Sequence, residues 1–276
     1  MIKADFYFKK NLREITLNGF YDENPRPKYK DGESANTKYI TQVFEEYDLS
    51  KGEYPITTLR NTAIKTGIKE IFWIYQKQSN SLEEARKIGI NWWDDWNIGD
   101  GTIGHRYGYT IKKYKLIDNL LDNLSKDPFS RRHIIDMYQY SDLEETKGLY
   151  PCAYSTSWSV RKVDNDYYLD MTLNQRSSDY IVANYINKIQ YVALQMMVAN
   201  HLKYKVGKFC HFVQNLHIYD RHFDAANEIL DKEPLDINPI LELKNGIDFY
   251  DISISDFKIY GVEGITKLNS NLELAI

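Results

Sequence analysis

The chain has 276 residues, enough for one large domain or two small ones and well above the size at which core burial becomes marginal. Lysine and arginine total 35 against 39 aspartates and glutamates, a net charge of −4, so coating a nucleic acid is excluded as the main role, while a small phosphorylated substrate held by a local arginine cluster is not. Two cysteines, Cys152 and Cys210, are too few for a disulfide framework. The N-terminus lacks a basic stretch followed by an apolar one, and no eighteen apolar residues stand in a row. A soluble, cytoplasmic, membrane-free protein is therefore expected.

The first expected loop runs through Glu23-Asn24-Pro25-Arg26-Pro27 and on to Ser34, where two prolines fix the backbone around Arg26 and leave its guanidinium free. A helix is expected from about Thr62 to Lys77, because Ile64, Ile68, Ile71, Phe72 and Tyr75 form one apolar stripe at helical period. Glu70 lies off that stripe, near Ala63, Gly67 and Ile74, a half-sheltered carboxylate that invites a close partner. Lys65, Lys69 and Gln76 are assigned to solvent. Ser81 and Glu84 have capping-box spacing and open a second helix ending near Gly89. The aromatic run Asn91–Trp96 and the turn Gly99-Asp100-Gly101 follow.

In the second half, Pro151-Cys152 opens a strand to Arg161, Asp164–Asp166 turns it, and Tyr167–Arg176 returns. Leu169, Met171, Leu173 and Gln175 share one face of the return strand; Asp170, Thr172, Asn174 and Arg176 share the other. A helix from about Asn187 to Tyr204 is apolar almost all round and belongs in a core. Lys208–Tyr219 is extended, with Asn215, His217 and Tyr219 on one face, and Asp220 is expected to cap a last helix. With no repeat and no linker, residues 1–276 are expected to form a single α+β domain, a mostly antiparallel or mixed sheet packed with helices.

Nucleotide-fingerprint, P-loop, HExxH and CxxC motifs are absent, and Cys210, His211, His217 and His222 fit no zinc spacing, so no metal is expected. A lone cysteine is usually a small buried hydrophobe. Cys152, however, follows a proline at a strand start in a region rich in arginine, with Arg131 and Arg132 upstream and Arg176 ending the return strand. Guanidinium groups favour the thiolate, the competent nucleophile. A hydroxyl beside an arginine, as in Arg176-Ser177, suits a bound phosphate.

Asp127-Pro128-Phe129-Ser130-Arg131-Arg132, Pro151-Cys152, Gln175-Arg176-Ser177-Ser178-Asp179, Asn187 and His217-Ile218-Tyr219, in this order and spacing, resemble the thymidylate synthases. Glu70–Trp73, Trp93–Trp96, Tyr107-Gly108 and the tail Leu272–Ile276 extend the resemblance over nearly the whole chain. It implies a homodimer that pairs through a sheet face, takes dUMP and 5,10-methylenetetrahydrofolate as substrates, and makes dTMP and dihydrofolate. On this resemblance Cys152 adds to C6 of uracil and Glu70 relays protons. Arg26, Arg176, Ser177, Ser178 and Asp179 bind substrate, Arg131 and Arg132 reach the phosphate of the partner's site, Asn187 reads uracil, and His217 and Tyr219 hold the 3′-hydroxyl. Trp93, Asp179 and Ala275 line the folate pocket; core packing for Trp93 and a turn for Asp179 are the bland alternatives.

The sequence departs from the family pattern at Tyr138-Gln139, Ala153, Ser157, Val213-Gln214-Asn215 and Val182–Asn187, where Ala183 adds a methyl facing the folate. Two rival activities share the same residues: dUMP hydroxymethylation, in which water replaces hydride, and a catalytically silent nucleotide- or RNA-binding role. Trp93 and the apolar tail favour methylation. The acidic balance and the Cys152–Glu70 pair argue against the silent role.

Overall fold

The computed structural model describes residues 1–23 and 25–275, so Asn24 of the first expected loop and Ile276 of the tail lie outside the described residues. In chain order the elements are α1 (Lys3–Asn18), β1 (Phe20–Asp22), β2 (Thr37–Asp48), α2 (Ile64–Ile71), α3 (Leu82–Lys87), α4 (Gly108–Lys113), α5 (Leu116–Lys126), β3 (Ile134–Asp136), α6 (Tyr140–Glu145), β4 (Ala153–Val163), β5 (Asp166–Gln175), β6 (Ser178–Asp179), α7 (Asn184–Leu202), β7 (Lys205–Tyr219), α8 (Phe223–Asp231), β8 (Ile240–Leu243) and β9 (Phe257–Tyr260). The main sheet is ordered β1-β2-β7-β5-β4-β3, with β6 also on β7, and helices pack on it: an α+β architecture.

The sheet is mixed and mostly antiparallel, as expected; the parallel pairs are β5 with β7 and β6 with β7. β2 pairs antiparallel with β7 from Thr37↔Tyr219 to Asp48↔Lys208, and β4 and β5 form the expected hairpin. β5 and β7 run parallel, Leu173 opposite His211 and Gln175 opposite Val213. Parallel neighbours need a crossover, and the buried helix α7 supplies it. The alternation expected of β5 holds: Leu169, Met171, Leu173 and Gln175 are buried. An extra residue on β7 meets the β5 register shift between Leu169 and Met171. There Gly207 is required, since a Cβ would stand 2.0 Å from Asp170 Oδ1.

The helix expected over 62–77 begins at Ile64 and changes character after Ile71, where Phe72–Gln76 form a π turn; Lys77 N donates to Phe72 O at 2.8 Å. A π turn reorients the side chains on either side of it, and Glu70 sits just before this one. Gln76 is not on the solvent face: its Nε2 donates to Phe249 O (2.6 Å) and Ile252 O (2.9 Å), pinning a distant loop. The second helix ends at Lys87, with Ser81 Oγ accepting from Glu84 N and Gly89 left-handed beyond. The core helix starts three residues earlier than expected, at Asn184. Asp220 does not cap the last helix. It opens a 3₁₀ turn, Asp220–His222, and its carboxylate accepts instead from Tyr29 OH and Asn36 Nδ2.

Helix α1 goes beyond the sequence expectations. Ala4, Phe8, Leu12 and Ile15 bury one face, and Asp5 is buried with them because Thr57 Oγ1, Thr58 N and Thr58 Oγ1 all donate to it. Among the described residues no helix is long and apolar enough to cross a membrane.

Behind the sheet end lies a buried ion pair, Lys188 Nζ–Glu45 Oε2 at 2.8 Å. Asn11 Nδ2 and the hydroxyls of Tyr47 and Tyr180 also donate to Glu45, and the ammonium lies 3.4 Å from the centre of the Tyr185 ring. Burial pulls the ammonium below the usual lysine range despite its carboxylate partner. Lys188→Met leaves Glu45 buried and uncompensated, and should lower unfolding free energy in urea by about 3–5 kcal/mol. Adding Glu45→Gln should restore much of that loss, because the stranded charge is removed.

Candidate active site

A cavity of about 750 Å³ opens where β5, β7 and α7 converge. It gathers Arg26, Glu70, Trp93, Cys152, Arg176, Ser177, Ser178, Asp179, Asn187, His217, Tyr219 and Ala275, residues drawn from almost the whole length of the chain. Arg131 and Arg132 are not among its walls. They are exposed on the turn after α5.

Cys152 stands directly before β4, and a bulge between Ala153 and Ser155 re-aims the strand start. Its N–H donates to Tyr107 OH (3.2 Å) and its carbonyl accepts from Arg176 N (2.9 Å). Arg176 grips the same loop with its side chain: Nε to Pro151 O (3.0 Å), Nη2 to Tyr150 O (2.7 Å), and Nη2 3.6 Å from the sulfur. The guanidinium is thus a scaffold for the cysteine as well as a neighbouring charge. Two opposed effects act on the thiol: Arg176 and Arg26 pull its pKa down, as expected of neighbouring guanidiniums, while burial pushes it above the ordinary value.

Glu70 is buried, not half-sheltered. Burial pushes its pKa up to about 7, opposed by neighbouring N–H groups that favour the carboxylate, above all Trp92 Nε1, which donates to Oε2. A carboxyl poised near neutrality can both take and give a proton at physiological pH. Gly67 allows the approach of α2 to α7, since a Cβ there would meet Ile186 Cγ2 at 3.1 Å and Gln190 Cγ at 3.3 Å.

Asn187 is held by a chain of amides with a single polarity. Ser177 O accepts from Gln175 Nε2 at 3.1 Å, and a carbonyl cannot donate. Gln175 Oε1 therefore faces His211, whose Nε2 carries the proton (2.8 Å). Gln175 Nε2 also donates to Asn187 Oδ1 (2.9 Å), and Asn187 Nδ2 donates to Gln190 Oε1 (3.0 Å). Each end of the Asn187 amide keeps one further hydrogen-bonding position.

The remaining expected residues divide by role. His217 Nδ1 contacts Asn215 Oδ1 at 3.1 Å, and burial keeps its imidazole below the usual range; Tyr219 lies edge-on to it. Asp179 lines the cavity, but its Oδ1 accepts from Ile181 N and Val182 N, so the turn reading describes that oxygen. Ser178 lines the cavity too, buried, with its Oγ accepting from Asn184 Nδ2. Trp93 packs on Trp73, Trp96 and Tyr107 while also forming cavity wall, so packing and lining are both true of it. Val182 and Ala183 line the cavity, so the departing segment does face the site.

Trp92 and Gln190 line the cavity without having been singled out in the sequence, while Tyr107 and Gln175 stood there only as motif residues with no role. Tyr107 precedes Gly108, where a Cβ would stand 2.0 Å from Ser79 O, and it takes the strained backbone φ 48°, ψ −109°.

A family model described as Thymidylate synthase matches residues 6–273. The chain belongs to the thymidylate synthase family. It is 52% identical to the thymidylate synthase of Streptococcus gordonii and 51% to that of Streptococcus pneumoniae, over the full length of both partners. Its fold is similar to that of the thermostable thymidylate synthase A from Bacillus subtilis, with TM-score 0.90 and 33% identity over 99% of each chain. The reaction of this family is the reductive methylation of dUMP, with methylenetetrahydrofolate as co-substrate, and its members are dimers acting on small molecules. Among the described residues no cluster of histidine, cysteine and carboxylate could hold a metal ion.

Removing the Trp92 donor with Trp92→Phe should raise the Glu70 pKa further, because the lost bond favours the charged form. The limb of the kcat/KM–pH profile near 7 should move about one pH unit toward alkali, since a hydrogen bond to a charge contributes about 1.5–3 kcal/mol.

Proposed function

We propose that the chain, acting over its whole length as one catalytic domain, binds dUMP with its uracil on Asn187 and its phosphate toward Arg26, Arg176 and Ser177, and that Cys152 is the nucleophile. The observation that carries this reading is the meeting of Cys152, Glu70 and the polarised Asn187 amide in one cavity. The sulfur bonds to C6 as its proton leaves to solvent, and the C5=C6 electrons move onto C5 and O4 as an enolate. C5 bonds to the folate methylene and loses its proton, and as hydride reaches the transferred carbon the C6–S bond breaks and Cys152 regains a proton. Glu70, titrating near neutrality, moves protons at the O4 side of the ring. Asn187 Oδ1 accepts from N3–H while its Nδ2 donates to O4, and His217 and Tyr219 hold the 3′-hydroxyl. Methylenetetrahydrofolate supplies both the carbon and the hydride. Its place is along Trp93, Asp179 and Ala275, in a cavity of the size expected for bound small molecules. Three tryptophans, Tyr107 and the tail residues Leu274 and Ala275 wall this side, which favours hydride over water as the group that finally adds to the transferred carbon, and so methylation over hydroxymethylation.

Arg131 and Arg132, exposed and outside their own chain's cavity, are assigned to the phosphate site of the partner subunit of a homodimer. A reducing cytoplasmic location suits a reaction that needs Cys152 as a free thiol.

Two experiments test these assignments. Cys152→Ala and Arg132→Ala proteins should each be nearly inactive. Mixed one to one with subunit exchange, they should regain about a quarter of wild-type turnover, because half the dimers are mixed and each holds one intact site. No recovery despite exchange would overturn the shared site. Asn187→Asp should weaken dUMP and strengthen dCMP, changing their affinity ratio about ten- to a hundredfold by calorimetry without folate, since a carboxylate has no donor for O4. An unchanged ratio would mean that Asn187 does not read the base.

A further inference from the structure

Immediately after the strand that carries His217 and Tyr219, the side chain of Arg221 reaches in two directions. Nη2 meets Asp31 Oδ2 at 2.7 Å, in the same loop as Arg26. Nη1 meets Glu273 Oε2 at 2.8 Å, in the tail whose next residues, Leu274 and Ala275, line the cavity. The guanidinium lies 3.9 Å from the centre of the Tyr29 ring, between the two carboxylates. Its neighbours make the same two connections: Asp220 accepts from Tyr29 OH at 2.5 Å, and His222 Nε2 donates to Glu273 O at 2.9 Å. Arg221 itself is not part of the cavity wall.

We propose that Arg221 is a positioning residue that ties the phosphate wall of the cavity to its folate wall, so that nucleotide and folate each tighten the other's binding. The proposal rests on the reading that the Arg26 loop holds phosphate and the tail covers folate. One exposed ion pair contributes little. Here a single planar group serves two segments at once. Whichever ligand binds first restrains the wall it touches and, through the contacts Arg221 makes to both, lowers the entropic cost of ordering the opposite wall. By linkage, the effect of dUMP on folate affinity must equal that of folate on dUMP affinity.

The test uses the Cys152→Ala dimer as host, so that bound ligands do not react. Affinities of dUMP and of methylenetetrahydrofolate are measured by calorimetry, each alone and with the other saturating. In the host, dUMP should tighten folate by about fivefold or more. Added Arg221→Met should bring that factor close to one. Arg221→Lys, whose ammonium holds one carboxylate at a time, should recover part of the separate affinities but not the coupling. Raising salt from about 0.05 M to about 0.5 M should reduce the coupling in the host and leave it flat in Arg221→Met. A purely structural role would weaken both ligands and leave the coupling factor unchanged, and that result overturns the proposal. Should Arg221→Met fail to fold, Glu273→Gln breaks the tail contact alone, and an unchanged coupling factor there overturns it equally. A host that binds neither ligand would instead overturn the reading of the site on which the proposal rests.

Discussion

β5 and β7 run in the same direction, so the chain between them must travel back along the sheet, and α7 is the segment that does so. From this pairing the site geometry follows. The β4–β5 hairpin sets Cys152 beside the end of β5, where Arg176 emerges; the start of α7 places Asn187 above the same sheet end; and the end of β7 brings His217 and Tyr219 alongside through β6. With β5 and β7 antiparallel, those groups would lie at opposite ends of the sheet. The Lys188–Glu45 pair on α7 and β2 holds the crossover to the strand beyond β7, and Asn11 and Tyr47 support it there by donating to the same carboxylate.

Burial acts in the same direction on the two titratable groups proposed to react. Both Cys152 and Glu70 are pushed toward their neutral forms, and what differs is the compensation each receives. Glu70 is offered neighbouring N–H groups, above all the Trp92 indole, which bring it back near neutrality, while Cys152 is offered guanidiniums, which do not fully offset its desolvation. Arg26 and Arg176 both line the cavity, so a net-acidic protein still presents local positive charge there.

Local irregularities cluster where the chain approaches this cavity. The π turn follows Glu70, a bulge follows Cys152, and Tyr107 occupies a strained conformation beside both. Each sacrifices some regular hydrogen bonding or backbone comfort, and each is supported by the buried core of α1, α7 and the sheet.

Periodicity and residue chemistry alone determined much of this protein. The apolar stripe of α2, the alternation of β5, the apolar core helix and the turn at Asp164 are short-range patterns that survive in any tertiary setting. Motif order made Cys152, Glu70, Arg176, Asn187, His217 and Tyr219 legible as one site. Tertiary structure alone decided the parallel β5–β7 pairing, the burial of Glu70, the anchoring of Gln76 and the placement of Asp220 away from a helix cap. It also decided the polarity of the Asn187 amide, which runs back through Gln175 to a backbone carbonyl and a buried histidine. These depend on contacts between residues far apart in the chain. Hydrophobic pattern shows which face of an element is buried but not what it meets, and a pKa or an amide orientation is set by whatever that partner turns out to be.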